Sequence, residues 1–320
     1  MPTWKTALRA AGIDRSDLRA DYTKQRSLVR AFAQKEYLAV RLLLPTSLHA
    51  PVVAAVAFMH STDERIDTGA INIRRNALAE WAGATTAALN GPARSNDVTL
   101  RTLADTVHRH PHVRRRVDAF LHGALLEADY TGFTDERALQ AYVDGYSLPA
   151  FMLTAGFVAP APSAADHVAF EAACRALIES MQRLDFLDDL AEDAAGGVVG
   201  IPGQDLQRHR LTIDDLAHGT REGVRRSLGG LVEEQADLAQ HQLHAAAQLP
   251  QLVAPAARPF AAALWQLQDL KLAAVRRKGG GLLDGGAEVP MPAVLKILAR
   301  QYRAARHHRE SSGPGWPVAA

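Results

Sequence analysis

Two short acidic segments carry the residue types and spacings that could bind a metal ion. Asp63 and Asp67 stand four residues apart after the apolar run APVVAAVAF. The same spacing occurs twice in a second segment, at Asp185, Asp189 and Asp193. Carboxylates four apart on a helix share one face, where their like charges repel each other and weaken the helix. Mg²⁺ would offset this repulsion, because it binds one or two protein carboxylates and bridges to substrate phosphates.

A solvated helix face is the commoner reason for a run of acidic residues, and it stays open for each segment taken alone. The apolar context argues against it, because Phe58, Met59 and Ile66 flank the first pair and apolar residues also interleave the second segment. Two such helices, about 120 residues apart in sequence, could face each other across the core of a bundle. Together they would hold a diphosphate through bound metal ions.

The elements that must position these residues are predicted to be helices nearly throughout. Ala and Leu dominate, apolar residues recur at helical spacing, and no convincing run alternates between β-branched and polar residues. Proline and glycine interrupt the pattern at Pro45 and at residues 90–92, 159–162, 196–197 and 279–281. No stretch of the chain is long and polar enough to be a linker between domains. The pattern therefore predicts an all-α fold with a single domain.

Composition narrows the class of protein. The 320 residues are 48% hydrophobic and 22% charged, which is typical of a globular protein and excludes an intrinsically disordered one. The net charge of +1 gives no reason to expect a nucleic-acid partner. No apolar run reaches the roughly 18–20 residues of a membrane span, although peripheral membrane contact stays open. The polar N-terminus is unlike a signal peptide and Cys174 is the single cysteine, so we expect a cytoplasmic protein.

The acidic segments and their surroundings resemble the squalene/phytoene synthase family. Residues 63–67 match the first family motif, DxxxD. Residues 189–193, followed by Gly197 and an Ile-Pro pair, match the second motif, DxxED. Residues 37–45 are similar to an early Tyr and Leu-Leu-Pro segment of the family, and residues 129–145 to its central helix. One DxxxD alone is weak evidence, but this ordered set is specific.

The resemblance implies a single all-α isoprenoid-synthase bundle in which both acidic helices line a central apolar cavity. It assigns residues 25–305 to the synthase-like domain, residues 1–24 to an N-terminal extension and residues 306–320 to a disordered tail. It also implies a Mg²⁺-dependent prenyltransferase that ionises an allylic prenyl diphosphate, with farnesyl diphosphate as the expected donor. Loss of diphosphate builds negative charge that metal ions stabilise, and it leaves an allylic cation that needs a dry pocket.

Carried over residue by residue, the resemblance assigns roles to individual side chains. The expected metal ligands are Asp63, Asp67, Asp185, Asp189 and Asp193, of which Asp185 is a secondary candidate together with Glu64 and Glu192. The expected diphosphate-binding residues are His60, Lys271 and Arg277.

Departures from the family pattern narrow the expected reaction. His60 stands where the family has an arginine, and residues 198–202 lack the usual Arg and Tyr. Tyr146 and the two residues after it replace a Thr-Val-Gly. Since these positions serve the coupling of two prenyl diphosphates, we predict that one donor is ionised and that an aromatic acceptor captures the cation. The indole of a tryptophan-containing cyclic dipeptide fits, with Asp144 accepting its proton and Tyr146 shaping the pocket as further catalytic candidates.

Three alternatives stay open. Head-to-head coupling to a squalene-type or phytoene-type product would use the same ionisation step, and so would cyclisation to a terpene. A non-catalytic accessory protein is the third, and the survival of both acidic motifs argues against it.

Overall fold

The computed structural model describes residues 1–91, 95–160, 166–219 and 222–311, and these form seventeen α-helices. No strand occurs within the described ranges, so the all-α prediction is confirmed. A single π-helical turn, Val143–Ser147, joins two of the helices. The helices are α1 Trp4–Ala10, α2 Ser16–Phe32, α3 Gln34–Leu43, α4 His49–Ile66, α5 Ile71–Asn90, α6 Val98–Arg109, α7 Val113–Ala128, α8 Glu136–Tyr142, α9 Leu148–Ala155, α10 Asp166–Asp188, α11 Leu190–Ala195, α12 Gly203–Arg208, α13 Ile213–His218, α14 Glu222–Ala245, α15 Leu249–Leu252, α16 Arg258–Lys278 and α17 Met291–Ser311.

Helix ends coincide with the proline and glycine breaks of the sequence. α3 ends at Leu43, two residues before Pro45, because proline disfavours helical backbone in the residue before it. α16 ends at Lys278, and Gly279 then takes a left-handed φ of 48° that a side chain would oppose. Of the predicted breaks, residues 92, 161 and 162 lie outside the described part of the chain.

Helix α4 is buried along nearly its whole length, and it carries the first acidic motif at its end. Its apolar run has no polar face, so neighbours must cover it on all sides. Ala54 packs in one apolar cluster with residues of α1 and α2. Phe58 packs in a second cluster with residues of α5, α6 and α7. The motif therefore extends from a helix that is held from two directions.

The second acidic motif begins at the end of α10, which belongs to a different part of the core. α10 packs along α14 and also contacts α16, and their apolar side chains form the largest cluster of the described residues. Leu177, Leu184 and Leu187 of α10 are fully buried there. This half of the bundle holds the second motif as α4 holds the first.

A close crossing joins α7 to the π-helical turn. A Cβ atom built on Gly123 would lie 1.9 Å from the carbonyl oxygen of Gly145, so this crossing requires glycine at position 123. The crossing sets the distance between α7 and the residues of the turn, including Tyr146.

The two chain ends differ from the predicted boundaries in how they pack. Trp4, Leu8 and Tyr22 of the predicted N-terminal extension are buried in the cluster that covers α4. At the other end α17 continues to Ser311, so residues 306–311 of the predicted tail are helical. Residues 312–320 lie outside the described part. No helix of the described part is long and apolar enough to span a membrane.

Candidate active site

The first acidic motif lies on the last turn of α4. Asp67 follows the end of the helix, and its N–H donates to the Asp63 carbonyl over 2.9 Å, so the helical spacing of the pair is kept. The Asp63 carboxylate accepts a hydrogen bond of 3.0 Å from the Tyr146 hydroxyl. Burial raises the pKa of Asp63 to about 7, and the nearby charges of Asp67 and Glu127 act in the same direction. Burial also raises the pKa of Asp67.

The second motif spans the junction of two helices, which corrects the expectation of one continuous helix. α10 ends at Asp188 and α11 begins at Leu190, while N–H to carbonyl bonds of 2.9 Å still join Asp189 to Asp185 and Asp193 to Asp189. The Asp188 carboxylate accepts hydrogen bonds from Lys271 and from the Ala287 N–H, and this attachment to α16 and to residue 287 coincides with the break.

Burial raises the pKa values of the second set of carboxylates as well. It raises the pKa of Asp185 to about 6 and that of Asp193 to about 6. The pKa of Asp189 is raised by burial and by its neighbour Asp188. Lys271 opposes these shifts at Asp185 and Asp189, so its ammonium group lies close enough to act on the motif. Both motifs thus hold carboxylates that bind protons more readily than they would in water.

A row of aromatic rings links the two motifs. The Tyr146 ring lies 5.3 Å from the Tyr142 ring between centroids, and the Tyr142 ring lies 6.3 Å from Phe186, next to the second motif. Phe120 stacks on Tyr146 at 6.1 Å. A Cβ atom on Gly200 would lie 2.1 Å from the Phe186 ring, so the position of that ring requires glycine at residue 200. The row forms one apolar wall that runs from Asp63 towards the second motif.

The expected central cavity is not among the two most pronounced pockets of the described residues. One pocket, of about 460 Å³, lies between the N-terminal residues, α2 and α3. The other, of about 260 Å³, lies between α2 and α6. The cavity between the motifs stays a prediction. The structure places the aromatic row between the two motifs.

The predicted diphosphate-binding residues lie at different distances from the motifs. His60 stacks on Phe32 with ring centroids 3.8 Å apart, and its charge lowers the pKa of the nearby Asp67. Lys271 forms an ion pair with Asp188 beside the second motif. Arg277 is exposed on α16, six residues after Lys271 and therefore on a different side of that helix.

Asp144, the predicted proton acceptor, lies apart from Tyr146 and the first motif. Its side chain is 60% exposed and forms an ion pair with Arg175 over 2.9 Å. Tyr146 of the same π-helical turn is directed at Asp63 instead. Residues two apart on a helical turn point to opposite sides, so Asp144 and Tyr146 cannot both face the first motif. The secondary candidates Glu64 and Glu192 are exposed.

Two charged residues near the first motif have no counterpart in the sequence analysis. Glu127 of α7 accepts a hydrogen bond from the Tyr142 hydroxyl, burial raises its pKa, and its charge acts on Asp63. Arg74 of α5 lowers the pKa values of Asp67 and Glu127, and its Nε is buried with no hydrogen-bond partner among the described residues. No spacing in the sequence indicates either residue: Glu127 stands four residues after Gly123, on the face of α7 that meets the π-helical turn, and that crossing is visible only in the structure.

The donor atoms of the motifs fit Mg²⁺. They are carboxylate oxygens, the hard ligands that Mg²⁺ prefers. Among the described residues, no three His, Cys, Asp or Glu side chains are grouped so that they could hold an ion by themselves. Mg²⁺ binds one or two carboxylates and completes its shell with water and phosphate oxygens. The carboxylate pairs of the two motifs therefore fit Mg²⁺ that binds together with a diphosphate.

Comparisons with known proteins agree with this architecture. A family model described as squalene/phytoene synthase matches residues 29–293. A curated relative, the bifunctional protein CrtB/UppS of Streptomyces coelicolor, is 29% identical over 215 residues. That match covers 66% of this chain and 36% of the relative, so the chain spans about a third of the relative's length.

Solved structures share the fold. A dehydrosqualene synthase in complex with ligand superposes with a TM-score of 0.76 at 19% identity, covering 92% of this chain and 98% of that one. Squalene synthase HpnC from Alicyclobacillus acidocaldarius superposes with a TM-score of 0.69 at 23% identity, covering 84% of this chain and 98% of that one. These likenesses show that the bundle has the same architecture.

Proposed function

The chain belongs to the squalene/phytoene synthase family, and from that membership we propose that it is a Mg²⁺-dependent prenyltransferase acting on an allylic prenyl diphosphate. The observation that carries the proposal is the pair of carboxylate sets at the two ends of the aromatic row. These carboxylates are buried, their pKa values are raised, and few cations pair with them. Bound positive charge would therefore stabilise their ionised form. The same pattern argues against an accessory protein.

The acidic side chains would hold the metal ions with the diphosphate. Asp63 and Asp67 are the ligands that we propose on α4, and Asp189 and Asp193 those at the second motif. Bound Mg²⁺ supplies the positive charge that stabilises the departing diphosphate. Tyr146 keeps the Asp63 carboxylate in position through its hydrogen bond. Arg74, whose buried Nε–H has no partner among the described residues, would donate to a diphosphate oxygen.

The aromatic row would receive the prenyl group. Tyr142, Tyr146 and Phe186 present ring faces, whose negative quadrupole stabilises a cation without a nucleophile that would trap it. The rings also exclude water, which would otherwise capture the cation as an alcohol. Farnesyl diphosphate is the donor that we propose.

We further propose that the acceptor is an aromatic molecule such as an indole. A second diphosphate would need further cations, yet Lys271 is already paired with Asp188, Arg277 is exposed, and His60 replaces the family's arginine. In this reaction the bond between the prenyl carbon and the diphosphate oxygen breaks, and both electrons leave with the diphosphate. A carbon–carbon bond forms to the indole ring, and the ring proton passes to Glu127, which takes the role predicted for Asp144.

Head-to-head coupling is the second candidate, and specific observations favour it. Two proteins of similar fold are described as a dehydrosqualene synthase and a squalene synthase. Coupling would use the same carboxylates and the same row of rings, but its second substrate would be another prenyl diphosphate.

Product analysis by mass spectrometry tests the proposal. The purified protein is incubated with Mg²⁺ and farnesyl diphosphate, with and without a tryptophan-containing cyclic dipeptide. We expect a product that forms only with the dipeptide and is heavier by one farnesyl group. The variants Asp63→Asn and Asp189→Asn should lose at least about a hundredfold in diphosphate release, because each removes a ligand of the developing charge. Asp144→Asn, an exposed acid on the turn that carries Tyr146, is the matched control and should keep its activity.

The other outcomes separate the alternatives. A C30 hydrocarbon from farnesyl diphosphate alone would replace aromatic transfer with coupling, and a cyclised C15 hydrocarbon would replace it with cyclisation. If no donor of any chain length released diphosphate in the presence of Mg²⁺, prenyltransferase activity itself would be excluded.

A further inference from the structure

The larger of the two pockets is lined by arginines and by no residue of either acidic motif. Its walls are the first residues of the chain, the C-terminal half of α2 and helix α3, and they enclose about 460 Å³. Arg26 and Arg30 of α2 and Arg41 of α3 line it, together with Trp4 and Tyr37. We call it the arginine pocket. No acidic side chain belongs to its lining among the described residues.

Arg41 is the most unusual residue of the pocket. Its side chain is almost fully buried, with 3% of the residue exposed, yet its interactions are with neutral groups. One guanidinium nitrogen donates to the Pro2 carbonyl, another lies 3.5 Å from the Tyr37 hydroxyl, and the Nε has no hydrogen-bond partner among the described residues. A buried guanidinium normally has an ionic partner, because its desolvation is otherwise uncompensated. Arg41 therefore keeps hydrogen-bonding capacity that an anion would satisfy.

Neighbouring positive charge strengthens this argument. Arg26 is half-buried and its Nε also lacks a partner among the described residues. The guanidinium carbons of Arg26 and Arg41 lie 5.5 Å and 5.4 Å from the Trp4 ring centroid, so the two cations share one ring. Burial and the charge of Arg26 both lower the pKa of Arg41, as expected where like charges converge without a counter-ion.

We propose that the arginine pocket binds an anion that carries a phosphate group. Guanidinium groups present paired N–H donors that match phosphate oxygens, and three of them around one pocket favour a multiply charged anion over a carboxylate. Trp4, Tyr37 and the 42%-exposed Leu38 offer apolar surface for an attached organic group. The site is separate from the acidic motifs, none of whose carboxylates line it. Its ligand can come from solution as a free phosphate compound or from a membrane as an anionic lipid headgroup.

Binding of inorganic diphosphate in the presence of a metal chelator tests the proposal. Without metal the acidic motifs repel the anion, so calorimetric titration of the protein favours the arginine pocket, and the variants assign the binding to it. Arg26→Gln and Arg30→Gln should each weaken binding by about tenfold, because each removes one charge-assisted contact. Arg226→Gln, which removes an equally exposed arginine from the distant α14, is the matched control for Arg30→Gln and should bind like the parent. The test does not depend on whether the protein proves to be a prenyltransferase.

A second arm tests the lipid source. Vesicles of phosphatidylglycerol and of phosphatidylcholine are sedimented with the parent protein, Arg30→Gln and Arg226→Gln. Sedimentation with phosphatidylglycerol only, lost in Arg30→Gln and kept in Arg226→Gln, would support the pocket as a headgroup site even without diphosphate binding. Arg41→Gln is measured after its circular dichroism is shown to match the parent, and the Arg26 and Arg30 variants decide the question if it does not fold. Absence of binding in both arms, or equal losses in Arg226→Gln, would overturn the proposal.

Discussion

Asp63 illustrates how a single carboxylate connects the sequence to the chemistry. Its neighbours bury it and leave it one hydrogen bond, from Tyr146, so its charged form is costly without a cation. The group binds a proton more readily in the folded protein than in the unfolded chain, because its folded pKa of about 7 exceeds the ordinary aspartate value of 3.8. It therefore favours the folded state at low pH, and this contribution is lost as the pH rises through 7.

Asp63→Asn should consequently stabilise the metal-free protein at pH 8. Asn keeps the shape of the side chain and the acceptor for Tyr146 but carries no charge. We expect a gain on the order of 2 kcal/mol in the free energy of unfolding at pH 8 and a clearly smaller gain at pH 5, because the loss of stability accumulates as the pH rises between the unfolded and folded pKa values. Urea denaturation with a chelator at both pH values measures it. The exposed Asp144→Asn should show no such pH-dependent gain, and an equal gain at both pH values for Asp63→Asn would contradict the explanation by charge.

Tyr146→Phe should separate the positioning of Asp63 from its presence. The ring and its stacking on Phe120 remain, but the 3.0 Å hydrogen bond is lost, so the carboxylate is free to turn. We expect diphosphate release to fall about tenfold, with the free energy of unfolding changed by about 1 kcal/mol or less. Tyr302→Phe, on the remote α17, is the matched control. Unchanged release in Tyr146→Phe would show that the hydrogen bond has no positioning role.

The residue scale also shows what the sequence could and could not predict. Asp63 and Asp67 could be identified from the sequence because side chains four residues apart lie on one face of a helix. Glu127 and Arg74 belong to no spacing pattern, and only the packing of α5 and α7 against α4 brings them to the motif. The predicted role of Asp144 stays a prediction, and the spacing itself separates it from Tyr146, since residues two apart on a turn diverge.

At the scale of elements, the crossing of α7 with the π-helical turn fixes the aromatic row. Gly123→Ala should destabilise the protein by about 1–3 kcal/mol, because its Cβ would meet the Gly145 carbonyl and the backbones would have to separate. The displacement should also move Tyr146 and reduce diphosphate release. Thermal and urea denaturation measure the first effect, and an enzyme assay the second.

Gly83→Ala is the matched control for that substitution. Gly83 lies in the interior of α5, where a Cβ would have no atom within 4 Å. Alanine there should stabilise the protein by about 0.5–1 kcal/mol through helix propensity alone. If both alanines had the same effect, close approach would not be the reason for glycine at position 123.

Helix boundaries were predictable where a proline or glycine marks them, as at Pro45 and Gly279. No proline or glycine marks the break between α10 and α11. The break coincides instead with tertiary hydrogen bonds that Asp188 accepts from Lys271 and from the backbone N–H of Ala287. The π-helical turn was likewise hidden, since local sequence does not encode where a close crossing will occur.

At the scale of the whole molecule, the two motifs come from two halves of the bundle. α4 is held among α1, α2, α5, α6 and α7, whereas α10 is held by α14 and α16. A diphosphate with its metal ions would bind across these halves and link them. Binding should therefore stabilise the fold as a whole and not one helix alone.

Mg²⁺ and inorganic diphosphate should stabilise the protein together much more than either does alone. Each motif supplies too few ligands for an ion by itself, and the anion is repelled until metal is present. We expect the combination to raise Tm by several degrees and a chelator to abolish the rise; about 3 kcal/mol of linkage corresponds to ligand at a hundred times its Kd. Asp63→Asn combined with Asp189→Asn should show no rise, and an equal rise from Mg²⁺ alone would indicate a preformed metal centre.

The burial of α4 on all sides bears on laboratory evolution of this protein. Ala54, Ala55 and Ala57 have no exposed surface, so larger side chains there have no space and would push α4 away from the helices that cover it. Libraries aimed at new acceptors would lose most members if they varied these alanines, although the positions lie within three turns of Asp63. Variation of the exposed start of α5, where Ile71 and Ile73 face solvent, should yield far more folded clones.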